Sequence, residues 1–458
     1  MLHRLPLTEM VSLVRSGSIK SIELIDAHLD QIERRNPILN AFTMVFDDEA
    51  RAAARRADQG LKTGLLHGVP VTVKDSFDVA GFPTRLGSYF APEIPACEDS
   101  AAVARLRRAG AIVLGKTNIP EFMVSYETDN FITGRTNNPW DIERTPGGSS
   151  GGEAAAIAGA CSPGGVGSDG GGSIRVPAHF CGIAGLKPTP GRIPTCGYRS
   201  TMTLPGISVA GPMARWVSDV RLLFDVLAGY DDRDPLSAPV PPRPPVIADL
   251  RIGVLEQFYD VPVQPAVRKA VRDAAQALAQ AGFTVDEFRP EGIERAPNLW
   301  SFFFSELPAR AAKERIAGRE AEAHWTYTEG LAAQLDRPPA AAWQVIENIA
   351  ARDAMRSKLL EQMRRYQVLL MPVAGIAAFR HRERRFPTET RTIGLFQAMM
   401  PATVANILGL PALAVPFSTS EEGLPVGVQL LGRPWDDEVL LEIGVKLEES
   451  RGAFRWPD

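Results

Sequence analysis

Hydrophobic positions along the chain alternate between short β-branched runs and stretches with helical spacing. In SIELIDAHLDQIE (21–33), Ile22, Ile25, Leu29 and Ile32 recur at three- and four-residue intervals, which predicts an amphipathic helix. VPVTV (69–73) and AIVL (111–114) are apolar runs bounded by Gly or Pro, predicting buried strands with a helix over 99–109 between them. EAAAIAGA (153–160) and ARWVSDVRLLFDVLAG (214–229) read as further helices. RIGVL (251–255), a helix over about 265–281 and FTVDEF (283–288) then make a β-α-β unit. Late strands are predicted at VLLM (368–371), ALAV (412–415) and VGVQLL (426–431), and a last helix over about 436–449.

Strands alternating with helices predict an α/β protein, a large mixed sheet covered by helices on both faces. The polar, proline-rich DDRDPLSAPVPPRPP (231–245) reads as an exposed loop. It fits a domain boundary, and strands on either side of it fit a single sheet equally well; residues 1–458 are expected to form a single domain. Composition fits this picture: 45% of residues are hydrophobic and 23% charged, as in an ordinary globular protein. A net charge of −4 supplies no basic field for nucleic acid. The longest apolar run, VLLMPVAGIAAF (368–379), is broken by Pro372 and falls short of the roughly 18–20 residues that span a bilayer. The N-terminus lacks the apolar core of a secretion signal. Cys97, Cys161, Cys181 and Cys196 form no C-x-x-C pair, so reduced thiols and a cytoplasmic location, without membrane partner, are the expectation.

Two compositional oddities concern chemistry. Only nine lysines stand against forty-one arginines, so a reactive lysine comes from a short list. Eleven of the forty glycines fall in GGSSGGEAAAIAGACSPGGVGSDGGG (147–172), followed by Ser173-Ile174-Arg175. Glycine loses the most backbone entropy on folding, so such clustering implies close backbone approach to a ligand or unusual geometry at a reactive side chain. Three familiar patterns match here in letters alone. Gly110–Thr117 fits G-x-x-x-x-G-K-[ST], but AIVL is a strand where a phosphate loop is needed. Gly165-Val-Gly167-Ser-Asp-Gly170 fits G-x-G-x-x-G without a preceding strand or a β-α-β unit. Gly148-Ser149-Ser150-Gly151-Gly152 fits the G-x-S-x-G elbow, which would make Ser150 the nucleophile and His179, His324 or His381 its base. HExxH, HxxEH and S-x-x-K are absent. Aromatic residues concentrate at 298–327 (Trp300, Phe302, Phe303, Phe304, Trp325, Tyr327), six in thirty against 7% overall, which reads either as helical core or as a substrate-facing wall.

TPGGSSGGEAAAIAGACSPGGVGSDGGGSIRVPAHFCGIAGLKPTPGRIP (145–194) closely resembles the signature of the amidase signature family. The resemblance extends to HGVPVTVKDSFDVAGFPT (67–84), GKTNIPEF (115–122) and the C-terminal LGLPALAVPF and LPVGVQLLGRPWDDEVLL, spanning about 20–450. It implies the amidase signature fold, no cofactor or metal ion, and a Ser–cis-Ser–Lys triad. Carried over by motif, the nucleophile is Ser173, the bridging serine with a preceding cis peptide is Ser149, and the base is Lys74. Ser150 is the neighbour most easily confused with Ser149. Lysine is a base only when neutral, so Lys74 needs a pKa far below about 10.4, which burial at a strand end would supply. The amides of Gly170, Gly171, Gly172 and Ser173 are suited to an oxyanion hole. Many relatives carry a larger aliphatic residue at the position of Gly170, a departure expected to loosen the turn or widen the acyl pocket. Asp169 and Arg175 are expected to brace the turn or to form a structural ion pair. Lys116 and Lys187 are expected to be structural, and His179 and Cys181 to pack beside the signature.

The resemblance further implies hydrolysis of a carboxylic amide, sometimes a carbamate or ester, by a monomer or homodimer acting on a small molecule. Its rival is the glutaminase-type A component of a tRNA-dependent amidotransferase. Such components usually carry an R-R-x-x-L-G-type helix, which TEGLAAQLDRPPAAAWQVIENIAARD (328–353) lacks. Residues 296–400 are expected to hold the variable part of the substrate pocket.

Overall fold

A computed structural model describes all residues except 200–203, 333, 335–337, 453 and 458. Parts of the 296–400 region and of the 328–353 stretch therefore lie outside the described residues. The chain builds one eleven-stranded mixed sheet. Its strands are β1 (Phe42–Val45), β2 (Pro70–Lys74), β3 (Ile112–Thr117), β4 (Gly164–Asp169), β5 (Ala184–Lys187), β6 (Val209–Ala214), β7 (Arg251–Val254), β8 (Thr284–Glu287), β9 (Val368–Pro372), β12 (Ala412–Thr419) and β13 (Pro425–Gly432). The spatial order is β1-β3-β2-β4-β6-β5-β12-β13-β9-β7-β8. Two short strands, β10 (Arg385–Pro387) and β11 (Thr392–Gly394), pair separately. Parallel pairs lie toward both ends of the sheet (β3–β2–β4 and β9–β7–β8), and antiparallel pairs fill its centre. The strands preceding and following the 231–245 stretch, β6 and β7, belong to the same sheet.

Side chains alternate across the strands, so one sheet serves two cores. Leu413, Val415, Val428 and Leu430 face a core shared with the helices Val217–Leu227, Pro265–Gln280 and Asp437–Arg451. On the other face Met213 and Ala414 pack with the helices Gly151–Ala158, Arg175–Cys181 and Leu395–Ile407. Leu369, Met371 and Leu431 continue that face with Trp300 and Phe303. Apolar pattern thus foretells the elements that bury continuous runs. The predicted helices and late strands occupy their expected places within a few residues, except that the first helix continues to Leu39 through Pro37.

Four strands of the large sheet escape the pattern: β1, β4, β5 and β6. β4 reads GGVGSD, a composition with poor β propensity. It forms because β2 and β6 pair with it on either side. Its glycines let neighbouring strands lie close: a Cβ at Gly165 would lie 2.1 Å from the Thr72 carbonyl oxygen of β2. The G-x-G-x-x-G stretch, for which no strand was predicted, is therefore largely strand. Among the described residues no helix is long and apolar enough to cross a membrane.

Candidate active site

Lys74 is the last residue of β2, a strand buried at every position. Its ammonium nitrogen lies 2.7 Å from Ser149 Oγ, 2.9 Å from Ser168 Oγ and 3.4 Å from the Ser168 carbonyl. Burial lowers its pKa to about 7, against the raising influence of Asp169 and Glu153. Ser149 follows a cis Gly148–Ser149 peptide and precedes the helix Gly151–Ala158. Ser173 begins the approach to the helix Arg175–Cys181; it is half-buried where Lys74 and Ser149 are fully buried. The two serine segments are joined by the Ser150 N–H, which donates to the Ser173 carbonyl at 3.1 Å.

Between β4 and Ser173 the chain makes a tight turn around the Asp169 carboxylate. That carboxylate accepts from the N–H of Gly172 at 2.7 Å and of Ile174 at 3.1 Å. Arg175 adds two side-chain bonds at 3.0 Å, Nε to Oδ2 and Nη2 to Oδ1. Burial opposes the charge on Asp169, but Arg175, Lys187 and the Asn406 amide hold its carboxyl well below the usual carboxylate range. Arg175 is itself fully buried and also reaches Gln429 Oε1 (2.9 Å) and Asn406 Oδ1 (2.7 Å). The pair is both brace and ion pair. One expectation needs correction: the Gly172 amide, grouped with the oxyanion donors, is spent on Asp169. Among the described residues the amides of Gly170, Gly171 and Ser173 meet no protein acceptor.

The elbow-and-histidine alternative does not assemble. Ser150 Oγ donates to the Ser168 carbonyl at 3.2 Å and accepts from the Ser168 N–H at 3.3 Å. His179 is buried between the Ile376 carbonyl (2.8 Å) and Gly427, and burial lowers its pKa to about 4. His324 lies against Thr326 and Asp129, and His381 against Glu127. Lys116 pairs with Asp75 at 2.7 Å. Lys187 is buried with its nitrogen on the Pro188 carbonyl at 2.9 Å. Cys181 is buried, its thiol on the Pro146 carbonyl. Among the described residues no group of three or more His, Cys, Asp or Glu is placed to hold a metal ion.

Around the site, Ser168, Glu153 and Tyr126 were not singled out from sequence, and Trp300 was named only within the aromatic cluster. Ser168 is the second hydroxyl on Lys74. Glu153 accepts from Thr72 (2.5 Å) and Thr117 (2.8 Å), and burial pushes its carboxyl up to about 7 despite Lys74. An acidic residue inside the otherwise apolar EAAAIAGA was the available signal. Tyr126 and Trp300 each donate to a carbonyl of the glycine turn, at 2.7 Å to Gly171 and Gly170 respectively. Of the aromatic cluster at 298–327, Trp300 therefore reaches the turn. It stacks on Phe304 with ring centroids 4.3 Å apart, and on Phe396 at 6.4 Å.

The Amidase family model matches residues 23–441, and the chain belongs to that family. Indoleacetamide hydrolase of Bradyrhizobium diazoefficiens is 34% identical over 455 residues, covering 96% of this chain and 85% of that protein. The A component of the glutamyl-tRNA(Gln) amidotransferase of Chloroflexus aurantiacus is also 34% identical, over 97% of this chain and 96% of its own length. The solved structure of a bacterial aryl acylamidase of the amidase signature enzymes superposes with a TM-score of 0.87 at 26% identity, covering 98% of this chain and 96% of that one. The protein is an amidase signature enzyme, a hydrolase acting on carbon–nitrogen bonds.

Proposed function

We propose that this enzyme hydrolyses carboxylic amides through an acyl-enzyme on Ser173, with Ser149 as proton relay and Lys74 as base. The observation that carries the reading is the buried 2.7 Å contact between Lys74 Nζ and Ser149 Oγ, beside the half-buried Ser173. A neutral Lys74 takes the Ser149 proton as Ser149 takes that of Ser173. The Ser173 oxygen adds to the amide carbonyl, and the proton is then returned to the leaving amine. Water repeats the sequence on the acyl-enzyme and releases the acid. The amides of Gly170, Gly171 and Ser173, which meet no acceptor among the described residues, would receive the oxyanion.

The substrate class we assign is an amide of an aromatic or bulky apolar group, with aryl carbamates and esters beside it, turned over without a partner protein. The Trp300–Phe304–Phe396 stack at the glycine turn supports this class, as do the names of two relatives, an indoleacetamide hydrolase and an aryl acylamidase. The amidotransferase A component stands as the second reading because a relative of that name is equally identical. A fluorophosphonate probe should label Ser173, and Ser173→Ala should abolish turnover while the fold is kept. Glutamine and acetamide are then compared with an anilide and an aryl carbamate. A higher kcat/KM for glutamine, appearing only with a partner protein, would establish the second reading instead.

A further inference from the structure

We infer that Trp300 is a positioning residue that aims the Gly171 amide at the oxyanion through its indole N–H, an inference resting on the Ser173 reading above. In a trans peptide the carbonyl of one residue and the N–H of the next point in opposite directions, so holding the carbonyl aims the amide. Every peptide of the turn is held in this way. The Asp169 carbonyl accepts from Asn406 Nδ2 at 2.9 Å, which sets the Gly170 N–H. The Gly170 carbonyl accepts from Trp300 Nε1 at 2.7 Å, which sets the Gly171 N–H. The Gly171 carbonyl accepts from the Tyr126 hydroxyl at 2.7 Å, which sets the Gly172 N–H. The Gly172 carbonyl accepts from the Val176 N–H at 2.7 Å, which sets the Ser173 N–H.

These anchors are unequal in consequence. The Gly172 N–H already has a second hold, the Asp169 carboxylate at 2.7 Å, so its peptide is fixed at both ends. Among the described residues the Gly170–Gly171 peptide has Trp300 alone, and its N–H is one of those left without a protein acceptor. Trp300 is suited to the task. It is 4% exposed, its ring is clamped on Phe304, and Gly171 lies flat against it: a Cβ there would come 2.4 Å from the indole Cζ2. A water in place of the indole N–H would satisfy the Gly170 carbonyl without fixing its direction.

Two variants separate this role from that of an aromatic wall. Trp300→Phe keeps an apolar ring and removes the donor; Tyr126→Phe removes the donor whose peptide is otherwise anchored. Losing an oxyanion donor outright costs about 10²–10³-fold in kcat, so losing its aim should cost about 10-fold or more. The expected result with an anilide substrate is that fall in kcat for Trp300→Phe with KM within about threefold, against less than about threefold in kcat for Tyr126→Phe. Affinity for phenyl trifluoromethyl ketone, which forms a tetrahedral adduct on serine, should fall in step with kcat/KM for Trp300→Phe. If Trp300→Phe fails to fold, 3-benzothienylalanine at position 300 replaces the indole N–H by sulfur in the same shape and is read identically. A kcat within threefold of the parent in the folded variant, or a change confined to KM, overturns the inference. Fluorophosphonate labelling of the parent at Ser173 is checked first: its absence would condemn the Ser173 reading itself, whereas labelling with an unimpaired variant condemns only the role of Trp300.

Discussion

At the scale of the residue, the base we propose is a lysine kept out of water. Removing solvent from an ammonium disfavours its charged form, and the buried end of β2 brings Lys74 to about 7. The neutral base is present only above that pKa, so kcat/KM should rise with pH through about 7 and level off above it. The carboxylate of Glu153 works in the opposite direction, raising the pKa of Lys74. Glu153→Gln removes that charge and keeps an acceptor for Thr72 and Thr117, so the acid limb of the profile should move to lower pH. Because Glu153 itself titrates near 7, the limb in the parent belongs to the pair. A pH–rate profile of both proteins checks this; an upward move in the variant would contradict it. Lys74 was legible in sequence through its strand and its motif, Trp300 only as one of an aromatic cluster and Glu153 only as an acid in an apolar helix, whereas Ser168 and Tyr126 carry no local pattern that marks them.

At the scale of the element, the site depends on a strand that sequence pattern does not disclose. β4 lies between β2, which carries Lys74, and β6, and it ends at Asp169 where the turn to Ser173 begins. Glycine is what allows β4 to lie so close to β2. Gly165→Ala would press a methyl against the Thr72 carbonyl and the Glu153 carboxylate, at 2.1 and 2.2 Å from undisplaced atoms. Overpacking of this kind costs about 1–3 kcal/mol, and the backbone oxygen cannot step aside as a side chain can. Denaturant unfolding should show a loss of that size, with activity falling as well because Glu153 and Lys74 share the crowded region. Unchanged stability would mean that β2 and β4 can separate more freely than their packing indicates. The glycine count announced a close approach somewhere in 147–172; that it is made by a strand became visible only with the neighbours in place.

At the scale of the whole molecule, the site is assembled from distant pieces of chain, and Arg175 is where they meet. Its guanidinium joins the glycine turn before Ser173 to Asn406 in the helix Leu395–Ile407 and to Gln429 in β13, residues 231 and 254 positions away. Arg175→Met would leave the Asp169 carboxylate buried without its cation, a loss of about 3–5 kcal/mol. Asp169 has a depressed pKa in the folded state, so its contribution is present above the unfolded value of about 4 and fades as pH falls. The stability deficit of the variant, measured by thermal unfolding, should therefore be largest near neutrality and shrink in acid. A deficit independent of pH would assign it to lost packing instead. The sequence by itself determined the α/β class, the helices and strands that bury continuous apolar runs, and the glycine-rich region where the candidate site lies. Those features follow from periodicity and from residue types whose backbone demands are local. Only the tertiary structure decided that GGVGSD is a strand, that the Gly172 amide is taken by Asp169, that no histidine reaches Ser150, and that Trp300 meets the turn. Each of these depends on groups brought together from far along the chain, where burial and hydrogen-bond geometry outweigh local preference.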